Sequence, residues 1–215
     1  MHAPLIESIS GAARPSITAF NTQCWASTAW AEAALKFTSV PLLAAIASSA
    51  LANLSEAQPV SLANTAWSIA VLQEASAQPL IAAIAASSLR RISVFHSSGL
   101  VMTAWSFACL EVSDLPLFTA IASAALPMSN SRATNFGVRE ISDLLWAFST
   151  LNYTSLKPLL ESIASAAIPP CSAFHTQGLV QCEWALVGLQ PLVTSLIRFV
   201  AGWLSWLAFQ FHALN

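Results

Sequence analysis

Residues 61–72 read SLANTAWSIAVL, and variants of this stretch recur along the chain. Two of them are GLVMTAWSFACL at 99–110 and EISDLLWAFSTL at 140–151. The tryptophans of the five copies are separated by 37, 38, 41 and 38 residues: Trp30, Trp67, Trp105, Trp146 and Trp184. A fixed period in this range is typical of stacked repeat arrays, in which each unit packs mainly on its neighbours.

A second pattern begins with Pro-Leu and precedes each tryptophan. It adds an isoleucine five residues after the proline, as in PLLAAIASSAL at 41–51 and PLFTAIASAAL at 116–126. Apolar residues at offsets 1, 2, 5 and 9 from the proline form one stripe on a helix. Proline is harmless in the first helical turn, and the Ser or Thr three residues before it, such as Thr38 or Ser113, is predicted to be the N-cap.

Each unit is therefore predicted to contain two helices. The connectors, such as KFTSV at 36–40, are short and polar, so consecutive helices should be antiparallel neighbours. The sequence predicts an all-α fold, an α-solenoid of about five helix–turn–helix repeats of 37–41 residues. The array spans 1–189, with units at about 4–35, 41–72, 79–110, 116–151 and 158–189.

The recurring tryptophan is predicted to be a core residue, wedged between neighbouring helices. Replacing one by alanine should then destabilise the fold by about 3–5 kcal/mol. An aromatic residue ten positions earlier marks the entry to the second helix in four copies: Phe20, Phe95, Phe136 and Phe174. Ala57 takes that place in the second copy.

Two segments depart from the repeat. The insertion PMSNSRATNFG at 127–137 is predicted to be a loop, either a tolerated surface insertion or a ligand-contacting loop at the rim of the array. The tail at 190–215 is almost wholly apolar from 192 to 214. We interpret it as a C-terminal helix that caps the last repeat or binds a partner.

Two alternatives for this tail stay open: a membrane-associated segment and a truncated or aberrant chain end. The membrane interpretation is not favoured, because 199–214 is shorter than the ~20 residues that a spanning helix needs. Arg198 interrupts any longer span.

Composition limits the function classes. Charged residues make up 8% of the chain and the formal net charge is −2, so no general attraction to nucleic acid or anionic membrane is expected. The four cysteines form no CxxC pair and have no histidines at metal-ligand spacing, which weakly favours reduced thiols in a reducing compartment. Residues 1–30 do not have the pattern of a signal or transit peptide.

No catalytic motif stands out. His96 and His175 each lie nine residues before a tryptophan, a position that other copies fill with Asn21, Gln58 and Gly137. A residue that recurs with the repeat is better explained by the repeat than by catalysis. Glycine-rich phosphate loops, GxSxG and HExxH are absent from the sequence, so we expect no enzyme, no cofactor and no metal.

The run F-x-x-Q-x-L-x-N-T-A-W-x-x-A-x-L resembles the octotricopeptide repeat. Its pieces are best seen at 19–23, 62–67 and 174–179, and the resemblance covers about 4–189. The chain is also similar to FAST-kinase-like mitochondrial proteins and to helical-repeat subunits of RNA-editing substrate-binding complexes. The resemblance implies a mitochondrial or chloroplast protein, with the cytoplasm as the alternative.

The same resemblance implies binding of single-stranded organellar RNA, in support of transcript processing, stability, editing or translation. Further proteins of a ribonucleoprotein complex are the expected additional partners. Repeats of this kind present one or a few side chains per unit to successive bases. The motif positions are themselves core positions, so no RNA-contacting residue follows from the resemblance.

Cations supply the candidate RNA contacts, because phosphate binding contributes much of RNA affinity. The cluster selected on this ground is Arg90, Arg91, Arg132 and Arg139. The second functional hypothesis is a HEAT- or armadillo-like scaffold that docks a partner peptide or helix along an apolar groove. The low charge favours this scaffold, whereas the repeat motif favours RNA.

Overall fold

A computed structural model describes residues 3–73, 77–129, 138–151 and 153 of the chain. Its described part is all-helical, which confirms the predicted all-α class there. The α-helices of these ranges are α1 (Ala3–Ala13), α2 (Thr22–Ala34), α3 (Val40–Asn53), α4 (Pro59–Leu72), α5 (Gln78–Arg90), α6 (Ser97–Cys109), α7 (Leu115–Ser129) and α8 (Val138–Thr150). Among them, none is both long and apolar enough to cross a bilayer.

Several predictions fall outside the described residues. They concern the unit at 158–189, the tail at 190–215, and most of the insertion at 127–137, with Arg132 inside it. The first four predicted units lie mainly within the described ranges.

The helices form two rows. In one row α2 packs on α4, α4 on α6, and α6 on α8; in the other, α1, α3, α5 and α7 follow one another with looser contacts. Small side chains explain the close approach in the first of these rows. On α4, for example, Ala63, Thr65, Ala66 and Ser68 are all buried. Thin helix faces of this kind let neighbouring backbones come close together.

Short 3₁₀ helices join the two helices of the first three pairs, a feature that the sequence analysis did not predict. They span Arg14–Ala19, Leu54–Glu56 and Ile92–Val94. Each packs on the first helix of the following pair, namely α3, α5 or α7. The predicted entry residue directly follows each 3₁₀ helix as its C-cap, and of these residues Ala57 and Phe95 are buried. Each 3₁₀ helix therefore links the two helices of its own pair along the chain and also packs against the next pair.

The predicted N-caps Thr38 and Ser113 are wrong by one residue. Helix α3 begins at Val40, which places Ser39 at the cap, and its side chain makes no capping bond. Before α7, the Asp114 carboxylate accepts a hydrogen bond from the Leu117 N–H at 2.9 Å. In α3, α5 and α7 the proline occupies the second helical position, so the residue before the helix lies two positions before the proline. Ser113 instead shares a 2.9 Å hydrogen bond with the Tyr153 hydroxyl.

The second helices of the first three pairs end in a left-handed residue. Lys36, Gln73 and Glu111 have φ of 51°, 51° and 55°. After α6, the Val112 N–H donates to the Phe107 carbonyl at 2.9 Å and the Glu111 N–H to the Ala108 carbonyl at 3.1 Å. These are the two bonds of a Schellman cap, in which glycine is the usual left-handed residue. The connectors therefore reverse the chain without glycine.

Candidate nucleic-acid interface

The tryptophans of the four described units lie at the surface, which corrects for them the prediction that the recurring tryptophan is a core residue. Trp30 is 47% exposed, and Trp67, Trp105 and Trp146 are half-buried. The core position of the second helices is five residues earlier, and its side chains are at most 1% exposed: Trp25, Leu62, Leu100 and Ile141. Five residues of α-helix turn through about 500°, so the two positions point to different sides of the helix.

Each second helix presents one stripe of exposed or half-buried side chains, at offsets −7, −3, 0 and +4 from its tryptophan. We call the surface formed by these stripes on α2, α4, α6 and α8 the tryptophan face. Offset −7 holds Gln23, Val60, Ser98 and Arg139; offset −3 holds Ser27, Asn64, Met102 and Asp143; offset +4 holds Ala34, Val71, Cys109 and Thr150. One aromatic position is thus constant while its neighbours differ in hydrogen-bonding capacity.

The indoles of neighbouring helices approach one another in two pairs. The ring centroids of Trp30 and Trp67 are 6.2 Å apart with planes inclined by 29°. Those of Trp105 and Trp146 are 6.3 Å apart and inclined by 30°. Such separations are within the range of favourable aromatic pairs. The face therefore carries two separate pairs of indole rings.

Between these two pairs lies a pocket of about 450 Å³, which both Trp67 and Trp105 line. Its floor comes from one side of α6, through Ser98, Val101 and Met102. The first turns of α8 contribute the remaining lining side chains, Arg139, Glu140 and Asp143. Its volume lies in the range typical of small-ligand sites.

Three ionisable side chains give this pocket its charge: Arg139, Glu140 and Asp143. The Arg139 Nε lies 3.7 Å from the Asp143 Oδ2, but the arginine side chain is 88% exposed. An ion pair so exposed contributes little to stability. Burial raises the pKa of Asp143, Arg139 opposes that rise, and the neighbouring Glu140 adds to it. With its side chain 24% exposed, the Asp143 carboxylate is partly removed from water, where a hydrogen bond to it is stronger than in full solvent.

The predicted arginines occupy different surroundings. Arg139 lines the pocket, and Arg132 lies outside the described residues. The Arg90 guanidinium donates a hydrogen bond to the Ser87 hydroxyl at 3.0 Å. The Arg91 guanidinium donates to the carbonyl of Ser55, in the preceding 3₁₀ helix. Both partners belong to the part of the fold away from the tryptophan face.

Sequence reasoning missed the tryptophans and Asp143 as candidate site residues. One feature of the sequence could have indicated a surface site: the tryptophan is invariant, whereas the residue three positions earlier changes from unit to unit. A core position usually varies among apolar residues, whereas Ser27, Asn64 and Asp143 are polar.

His96 lies at the N-cap of α6, and the residues at the same repeat position, Asn21 and Gln58, are the N-caps of α2 and α4. Its equivalent Asn21 accepts a hydrogen bond through its side chain from the Cys24 N–H at 2.8 Å. Within the described ranges, no group of three or more His, Cys, Asp or Glu side chains is arranged to hold a metal ion.

Comparison with known proteins assigns the chain to no family. The sequence matches no family model and no curated protein. The repeat pattern and the geometry of the tryptophan face are therefore the observations that bear on function.

Proposed function

We propose that the chain is a non-catalytic α-solenoid of about five helix–turn–helix repeats that binds single-stranded RNA across the tryptophan face. The observation that carries this proposal is one surface indole per helix pair, on four successive second helices. The two rows of helices, each packed on the next, support the solenoid.

Stacking of bases on aromatic side chains provides the binding energy. Each stacked base contributes about 1–3 kcal/mol, with little dependence on its identity. The differing side chains at offsets −7 and −3 can then contact base edges, so that one unit serves about one nucleotide. This division between constant and variable positions is what a helical repeat needs to bind a strand selectively.

The charge distribution makes this RNA binding depend only weakly on salt. Among the residues of the tryptophan face, Arg139 is the strongly basic one. Each phosphate contact to a single strand contributes about 0.7 to the slope of log affinity against log salt. We expect a shallow slope, because stacking rather than charge neutralisation dominates.

The biological setting follows from the resemblance. We propose a role in processing, stability, editing or translation of organellar transcripts, in a mitochondrion or chloroplast, within a ribonucleoprotein complex. A cytoplasmic location is the alternative.

A fluorescence-anisotropy titration with labelled 12-nucleotide single-stranded RNAs, at 25 to 200 mM salt, tests this proposal. The Trp67→Ala/Trp105→Ala double variant should lose at least about tenfold in affinity, since two stacking positions are removed. Leu89→Ala is the matched control, because this exposed apolar residue lies on α5, in the other row. Absence of binding to any RNA at the lowest salt would overturn the proposal.

The arginine cluster is tested in the same titration. Arg139→Ala should flatten the salt dependence by about 0.7 if it contacts one phosphate. The Arg90→Ala/Arg91→Ala double variant tests whether the binding path extends beyond the tryptophan face. An unchanged slope in both variants would remove these residues from the RNA interface.

The second candidate function is a HEAT- or armadillo-like protein-interaction scaffold. Exposed apolar side chains on the tryptophan face, among them Trp30 and Val60, favour it together with the low charge. A protein partner whose binding is lost in Trp30→Ala, with no RNA bound at low salt, would support the scaffold instead.

A further inference from the structure

The pocket between Trp67 and Trp105 has the walls and size to receive one flat heteroaromatic ring. Two indoles line it, and Val101 and Met102 add apolar surface from α6. A pocket of about 450 Å³ can take a base together with part of its sugar. This inference rests on the proposed function, because the strand must lie on the tryptophan face to deliver a base here.

The polar part of the pocket decides which base is favoured. Asp143 is held on α8, its side chain is 24% exposed, and its carboxylate offers two acceptor oxygens. Guanine presents two adjacent donors, N1–H and the N2 amino group, on its Watson–Crick edge. Adenine and cytosine each place a ring acceptor beside their amino donor, and uracil has one N–H between two carbonyls. Guanine alone among the four can donate two parallel hydrogen bonds to one carboxylate.

We propose that this pocket is a guanine-selective nucleotide site, with Asp143 as its specificity-determining residue. Trp67 and Trp105 supply the stacking surfaces, and the carboxylate receives the Watson–Crick edge of the base. The 3.7 Å contact between Arg139 and Asp143 is long and exposed, so a base can replace the guanidinium at the carboxylate. Arg139 is then placed at the rim of the pocket, where it can contact the adjacent phosphate.

Among the described units, the equivalent positions restrict this preference to one place on the strand. Offset −3 is Ser27 on α2, Asn64 on α4 and Met102 on α6. A hydroxyl, an amide and a thioether do not offer two acceptors of equal strength as a carboxylate does. The fourth described unit should therefore discriminate against the other bases in a way that its neighbours do not.

The test uses the full chain and labelled 12-nucleotide oligouridylates that contain one central G, A or C, so that guanine quadruplexes do not form. Wild-type protein should bind the G-containing strand about tenfold more tightly than the all-U strand, as expected for a bidentate contact. Asp143→Asn should bind all four strands with affinities equal within about twofold, because the amide replaces one acceptor by a donor. Glu7→Gln, which removes one negative charge on exposed α1, should keep the tenfold preference.

The outcomes separate this inference from the proposed function. Binding of every strand with no preference for G would overturn the guanine site and leave RNA binding intact. A G preference that survives in Asp143→Asn would overturn the role of Asp143, provided that circular dichroism shows the variant folded. No binding of any strand would overturn both proposals.

Discussion

The first helices of the pairs share one sequence pattern but differ greatly in burial. In α1, Leu5 and Ile9 are 58% and 59% exposed, whereas their equivalents in α3, Leu42 and Ile46, are 1% and 2% exposed. The internal helices α3, α5 and α7 are each covered by the 3₁₀ helix of the preceding pair. Helix α1 is the first that the structure describes, and no described element occupies that side of it. In this fold a neighbour, rather than residue type, decides what is buried.

The second helix of the same pair does not share this exposure. On α2, Trp25 is fully buried, as Leu62 is on α4, because α2 has α4 on its core side. The contrast within the first pair therefore lies between α1, which packs loosely on α3, and α2, which packs closely on α4.

The largest effect is expected from the two tryptophans of α2. Trp25→Ala should lower the free energy of unfolding by about 3–5 kcal/mol, because it empties a fully buried site. Trp30→Ala should lower it by about 1 kcal/mol, since nearly half of that side chain is already in water. Denaturation in urea, followed by circular dichroism, measures both. Equal losses would show that the surface position is structurally as important as the core position.

A matched pair of isoleucines tests the comparison between first helices. Ile84→Ala on α5 should destabilise the protein by about 3 kcal/mol, because the side chain is fully buried. Ile9→Ala, at the equivalent position of α1, should change stability by no more than about 0.5 kcal/mol. The same urea titration applies. A large loss in Ile9→Ala would mean that α1 is covered by something beyond the described residues.

The left-handed caps after α2 and after α6 should respond alike to substitution by glycine, because their stability depends on local backbone geometry. Glu111→Gly should stabilise the protein by about 1 kcal/mol, since a left-handed conformation is unfavourable for residues with a Cβ atom. Lys36→Gly, in the first connector, should give a similar gain in thermal stability. Glu111→Ala keeps the Cβ atom and is the control that should show no such gain. A gain in stability in only one of the two connectors would show that packing against neighbouring helices, rather than local backbone geometry, determines the stability of the cap.

The periodicity of the sequence was sufficient to predict helix pairs, because stripes such as Leu42, Leu43 and Ile46 specify a helical period. It could not identify the outward side of the second helices. Trp25 and Trp30 are both apolar, and only the position of α4 determines which of them is buried. The 3₁₀ helices escaped prediction because three residues are too few to show a period.

Of the residues that line the candidate site, only Arg139 was predicted from the sequence. Arg139 was recognised as a cation, whereas Asp143 gained significance from its place beside Trp67 and Trp105. Those residues lie on α8, α4 and α6, so their meeting depends on how three helices pack.

The smallest effect on stability is expected from Glu32, a buried carboxylate on α2. The equivalent position of the other described pairs holds an apolar residue. Glu32 lies two residues after Trp30 and is buried, where α4, α6 and α8 have Ile69, Phe107 and Phe148. Burial raises the pKa of Glu32, and hydrogen bonds from the Ser10 hydroxyl, at 3.2 Å, and from the Ser39 N–H oppose the rise. The folded protein therefore holds this proton more tightly than the unfolded chain does.

It follows that Glu32 makes the fold less stable as the pH rises from its ordinary pKa of 4.5 through the raised value. Below 4.5 both states are protonated, and this penalty is absent. Glu32→Gln cannot ionise, so its unfolding free energy should exceed that of the wild type by more at pH 7 than at pH 4.5. Urea titrations of both proteins at these two pH values measure the difference. A difference that is the same at both would show that Glu32 ionises in the fold as freely as in water, and that its polar neighbours compensate fully for burial.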